Sequence, residues 1–271
     1  MNLFKLKKVR YPFSERELRI FRFLCQCYLK YNPKTASFLY MITGKTPEET
    51  NYELDLSNIK AYWFPLDDSG TLGAWEPLDK DAIHYAISNP AMTDNYLYQE
   101  GDEEKGWIRN TLCDPLIQTI FNMLQNFGVI MHEFYHMFQF KTCPVGYVAM
   151  RFVSLFTTLP YYLFQNADWM PAYRKFFEWD IEGQAEKYGD KAPEIGGFIR
   201  DMTTVFTAYE YQASQRRSAK RNPQNYDEEA LNNIEHYPER QFEQEKIPSS
   251  IVKMGTELWE LYKKESTFEW K

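Results

Sequence analysis

The chain has 271 residues, of which 44% are hydrophobic and 17% aromatic, and its formal net charge is −7. So apolar a composition excludes a disordered chain and supplies a core for one large domain or two small ones. The acidic balance excludes a general nucleic-acid binder, which would carry a large basic excess.

The opening stretch MNLFKLKKVR is basic, but no apolar signal core or small-residue cleavage site follows it. No secretory signal is therefore expected, and the chain is assigned to the cytoplasm or to a virion. Ser14 and Glu17 fit a capping box, and Leu18, Phe21, Leu24, Cys25 and Tyr28 continue with helical spacing, so a helix is predicted over 14–31. Asn32-Pro33 interrupts it, and a second short helix is expected over 34–42. Strands are predicted at 59–64 and 82–87, with Asp67-Asp68-Ser69-Gly70 as turn chemistry between them. Gly73-Ala74-Trp75-Glu76-Pro77 reads as a short strand or turn in the same sheet.

From Pro115 onward the pattern is mostly helical: 115–141, 147–164, 172–188, 194–219, and a last helix from Ser249 or Ser250 to Lys264. The polar stretch 222–248, with Pro238 and Pro248 as breakers, is the most loop-like. The longest apolar run, Val145 to Phe164, carries Arg151 at its heart and Pro160 near its end. A membrane span needs about 20 mainly apolar residues without such interruptions, so this run reads as a buried helix or helix pair and no membrane span is expected. Cys25, Cys27, Cys113 and Cys143 show no zinc-knuckle spacing and read as free thiols. The basic cluster Arg216, Arg217, Lys220 and Arg221 reads as a solvated helix end.

Of only four histidines in the chain, two stand in His132-Glu133-Phe134-Tyr135-His136, an H-E-x-x-H pattern. Residues four apart share one helix face, so both imidazoles can reach one ion. Glu133 then sits beside the ion, where it can take a proton from a water and pass it to a leaving amine. Phe127, Val129, Ile130, Met131, Phe134, Met137 and Phe138 supply apolar faces that would bury such a helix. A catalytic zinc takes three protein ligands and leaves one position for water. No third histidine follows His136 at a suitable spacing, so a carboxylate from a second helix is expected. Glu182, in Trp179-Asp180-Ile181-Glu182-Gly183-Gln184-Ala185-Glu186, is the leading candidate, with Ala185 small enough to let two helices approach. Glu178 and Glu186, one turn to either side, are alternative ligands or partners that orient a histidine. Glu243 is a further rival in a more polar setting. His84 reads as a sheet-face histidine and His236 as an exposed one.

Three pieces together resemble the gluzincin-like metallopeptidases, in particular the minimal HExxH domains of bacteria and their phages. They are Gly73-Ala74-Trp75-Glu76-Pro77 followed by Ile83-His84-Tyr85, the HExxH with Gln139 after it, and Ile181-Glu182-Gly183-Gln184-Ala185-Glu186, which is similar to an E-x-x-A ligand helix. The match covers roughly 58–190. Asp180-Ile181 before the ligand glutamate and the long gap from His136 to Glu182 depart from the family pattern. The resemblance implies a zinc ion held by His132, His136 and Glu182, with Glu133 as general base for hydrolysis of a peptide or protein substrate. It also implies an edge strand at Ile83, His84 and Tyr85 that pairs with an extended peptide. Tyr188, Tyr209, Tyr211 and Arg174 are candidates for stabilising an oxyanion.

The expected architecture is α+β and predominantly helical: a zincin-like, small antiparallel or mixed sheet packed on an active-site helix, with further helices C-terminal to it. In chain order this gives N-terminal helices over 1–50, the metallopeptidase-like core over 51–190 and a helical extension over 191–271. The competing reading is a structural or assembly protein, such as a phage virion component, that keeps the fold for architecture. A carboxylate-bridged di-iron site would need a second E-x-x-H, and positions 81 and 233, three before His84 and His236, are Asp and Asn.

Overall fold

The computed structural model describes residues 11–64, 73–75, 81–86, 115–163 and 179–266. Along the chain these form β1 (Tyr11–Pro12), α1 (Glu15–Tyr31), α2 (Phe38–Thr43), β2 (Lys60–Phe64), β3 (Gly73–Trp75) and β4 (Ala82–Ala86). There follow α3 (Pro115–Gln125), α4 (Phe127–Thr142), α5 (Pro144–Leu163), α6 (Ile181–Tyr188), α7 (Pro193–Arg221), α8 (Glu228–Glu235), α9 (Tyr237–Gln244) and α10 (Ser249–Glu265). The architecture is α+β, mainly helical with one small mixed sheet. No helix among the described residues is long and apolar enough to cross a membrane.

The described residues divide into two compact units, one drawn from 11–13, 28–64, 73–75, 81–86, 126–163 and 179–196, the other from 14–27, 115–125 and 197–266. The three consecutive stretches expected from the sequence do not coincide with them. In the first unit α2 packs on α4, where Phe38 sets its ring edge-on against Tyr135 at 5.3 Å and is buried. The second unit has its own core, in which Phe206 packs edge-on against Phe121 and Trp259 at 5.4 and 5.5 Å.

The sheet of the first unit has the order β1-β2-β4-β3. β2 and β4 run parallel, while β1 and β3 pair antiparallel with them. Ala61 and Trp63 are buried on one face of β2, as period-two alternation demands. Trp63 stacks on Phe13 with ring centroids 4.1 Å apart. The strand expected to be free at Ile83, His84 and Tyr85 is interior instead: it faces Ala61, Tyr62 and Trp63 on one side and Trp75, Ala74 and Gly73 on the other. The short Gly73-Ala74-Trp75 run covers its second edge, so among the described residues β3 is the sheet's outer strand on this side.

α4 is apolar almost all round. Phe127, Ile130, Met131, Phe134 and Met137 are all fully buried, which makes it the central helix of its unit. The helix expected over 115–141 is broken at Asn126, whose φ of −109° and ψ of 21° leave the helical region. The Ser14–Glu17 capping box forms as expected, with the Ser14 N–H donating to Glu17 Oε2 at 2.7 Å. The loop expected over 222–248 is corrected to two short helices. Asp227 caps α8 by accepting from the Ala230 N–H at 2.7 Å, and Pro238 opens α9 where its missing N–H costs nothing. α5 runs on to Leu163, through Pro160, as a single helix. It is not buried on all sides: Val145, Phe152 and Phe156 are 83%, 66% and 79% exposed.

Replacing Trp63 by Ala removes a fully buried indole and its stack on Phe13, so a loss of about 3–5 kcal/mol is expected, read from the urea midpoint. An unchanged midpoint would show that β2 contributes nothing to the core.

Candidate metal centre

The HExxH segment lies inside α4, and the helical rise sets His132 and His136 one turn apart with ring centroids 4.7 Å from each other. α6 brings a third group to the same point. Asp180, buried, caps that helix by accepting from the Gly183 N–H at 2.8 Å. The cap fixes Glu182 in the first turn. Close approach of the two helices is made possible by Gly189, just past the end of α6. A Cβ there would stand 2.5 Å from the His132 Cα. Ala185, fully buried, is the small residue on the same side.

The three donor atoms form a tight triangle. His132 Nε2 and His136 Nε2 are 3.0 Å apart, and Glu182 Oε2 lies 3.5 Å from the first and 3.4 Å from the second. Among the described residues His132, His136 and Glu182 are the one such grouping. A tetrahedral ion with ligands at about 2.0–2.1 Å holds neighbouring donors about 3.3 Å apart, so the triangle has the size of one tetrahedral face.

The surrounding hydrogen bonds decide which way the lone pairs point. Gln139 donates its amide to the Ile181 carbonyl at 3.1 Å and to Gln184 Oε1 at 3.2 Å. Its own Oε1 is thereby left to accept from His136 Nδ1 at 2.9 Å. Asp190 Oδ1 lies 3.2 Å from His132 Nδ1 and accepts from it in the same way. With Nδ1 of each ring given to its own acceptor, both Nε2 atoms are turned toward the Glu182 carboxylate. One cation could bind all three atoms.

Burial and the charge of its neighbour drive the two histidines apart in their titration. Burial and the nearby His132 push His136 down to about 3. Burial also pulls His132 down, but the Asp190 hydrogen bond and the charges of Glu133, Asp190 and Glu186 outweigh it, and the net shift is upward.

Glu133 is buried on α4 and stands outside the donor triangle. β3 runs directly beside it: a Cβ on Gly73 would meet the Glu133 side chain at 3.0 Å and Val129 at 2.6 Å. Glu186 is ion-paired with Lys191 and is not one of the converging donors. Glu178 and Arg174 lie outside the described residues. Glu243 is exposed on α9 in the second unit and joins no donor group. Tyr188 stacks on Tyr135 at 5.3 Å. Tyr209 bonds the Thr256 hydroxyl at 3.0 Å, and Tyr211 packs on Tyr237 at 4.4 Å, all within the second unit.

Two participants had no assigned role in the sequence reading. Arg151 of α5 ion-pairs with Glu182 through Oε1, the oxygen that faces away from the histidines. A lone arginine in an apolar helix is itself the signal, since a charge there needs a partner. Asp190 carries no comparable signal, because a Gly-Asp step after a helix is commonplace. No family model, no curated protein and no solved structure matches the chain.

Two outcomes follow from this geometry. The metal-free protein is expected to lose stability as pH falls below about 6.5, because the unfolded chain takes up a proton on His136 that the native state refuses. His132, shifted upward, opposes this only in part, since its contribution is complete at low pH and fades as pH rises. Urea midpoints of stripped protein between pH 7 and 4 test it, and His136→Gln should flatten the slope. Gly189→Ala should weaken cation binding by tenfold or more by forcing α6 off His132. Wild-type affinity in that variant would show that the close approach does not set the site.

Proposed function

We propose that this protein is a zinc-dependent hydrolase of peptide bonds with a zincin-like core. The observation that carries the reading is the face of three acceptors, His132 Nε2, His136 Nε2 and Glu182 Oε2, at tetrahedral edge spacing with the buried Glu133 beside it. Three protein donors of the His₂Glu type are the set of a catalytic zinc rather than of a closed structural one.

Zinc held there supplies a charge that brings the pKa of a water to about 7 and polarises a carbonyl. The chain's own groups do the rest. Glu133 accepts a proton from the water whose oxygen attacks the peptide carbonyl carbon. It then delivers that proton to the amide nitrogen as the C–N bond breaks. Asp190 and Gln139 keep both imidazoles in the tautomer whose Nε2 is free to bind. β3 offers a second support: among the described residues it is the outer strand and runs beside Glu133, so an extended substrate pairing with its backbone would lie close to that carboxylate.

The test is metal content together with turnover. Purified protein is expected to hold one zinc per chain, lost in His132→Ala and in Glu182→Ala. Glu133→Gln should keep the zinc while cleavage of an unfolded casein falls by about 10²–10⁴-fold. Zinc binding with no cleavage by the wild-type chain would favour the architectural role over the enzymatic one.

A further inference from the structure

The donor triangle does not use the whole of Glu182. Its Oε2 faces the two imidazoles, whereas Oε1 is taken by the Arg151 guanidinium. Arg151 has a second partner in the hydroxyl of the buried Tyr147. Tyr147 is wedged edge-on against Trp75 and Phe140 at 5.4 and 5.8 Å. The guanidinium therefore has two partners, Glu182 and Tyr147, and is not a free surface charge.

This arrangement matters because a carboxylate can bind a cation through one oxygen or through both. Bound through both, Glu182 and the two histidines would offer four protein atoms and crowd the position that a reacting water needs. We propose that Arg151 is a positioning residue that engages Oε1, restricts Glu182 to single-oxygen coordination and keeps the fourth position of the metal open. The inference rests on the metal-centre reading and gives the lone charge of α5 a task. A merely structural role for Arg151, holding α5 against α6, predicts the opposite sign on binding. Removing a positive charge beside a cation site strengthens the electrostatic hold, whereas loosening the helix packing weakens it.

Cobalt(II) serves as the probe, since its visible bands are strong in four-coordinate sites and weak in five-coordinate ones. Wild-type protein, Arg151→Met and Arg151→Lys are stripped, loaded with cobalt and titrated against a chelator. The wild type is expected to show the four-coordinate spectrum. Arg151→Met should hold the ion equally tightly or up to about tenfold more tightly, with weakened bands, and its peptide cleavage should fall through kcat rather than KM. Arg151→Lys, whose ammonium can still engage one oxygen, should restore the spectrum; it also keeps the test readable if the Met variant fails to fold. A wild-type spectrum in Arg151→Met overturns the proposal, and so does a tenfold or greater loss of affinity. Failure of the wild type to take up cobalt at all would instead remove the metal-centre reading beneath it.

Discussion

Two imidazole nitrogens and a carboxylate oxygen stand within about one hydrogen-bond length of each other, and an unaided chain would let them swing apart. Much of the first unit acts against that. The rigid turn of α4 spaces the two imidazoles. Gln139, committed to the Ile181 carbonyl and to Gln184, turns its remaining oxygen to His136 and so ties the ring to α6 as well. Asp190 does the same for His132 from the turn after α6. Each partner holds the far side of a donor, which is what a metal centre requires of its surroundings.

The backbone meets the same constraint at other points. Asp180 caps the helix that carries Glu182, and its burial fixes where that helix begins. Gly189 removes the Cβ that would hold the two helices apart, and Gly73 does so between β3 and Glu133. At both places the sequence has glycine because one piece of backbone must touch another element, so neither position tolerates even a methyl group without movement.

How much of this could be read from the chain alone depends on the range of the signal. HExxH is local: five consecutive residues on one helix fix the relation between His132 and His136, so the pair was legible. Glu182 was legible as a leading candidate among acids, but its selection over Glu186 depends on where α6 starts, which the buried Asp180 cap determines. The free edge was misassigned to Ile83, His84 and Tyr85, because sheet order is set by long-range pairing and a three-residue strand leaves almost no periodic signal. The segment 222–248 hides its helices for a different reason: Pro238 is a breaker inside a helix, but in the first turn its missing N–H is no loss. Arg151 stood in view as an interruption of an apolar run, yet only the packing of α5 beside α6 supplies its partner.

The positions of the donors along the chain carry one more implication. His136 and Glu182 are far apart in sequence and α5 lies between them, so a cation bound by both closes that stretch into a ring. Such an ion acts as a reversible cross-link: it subtracts loop entropy from the unfolded chain much as a disulfide does, but its strength rises with the logarithm of free cation. Chelation would then cut that fastener, and the endurance of the first unit would track the metal supply around it.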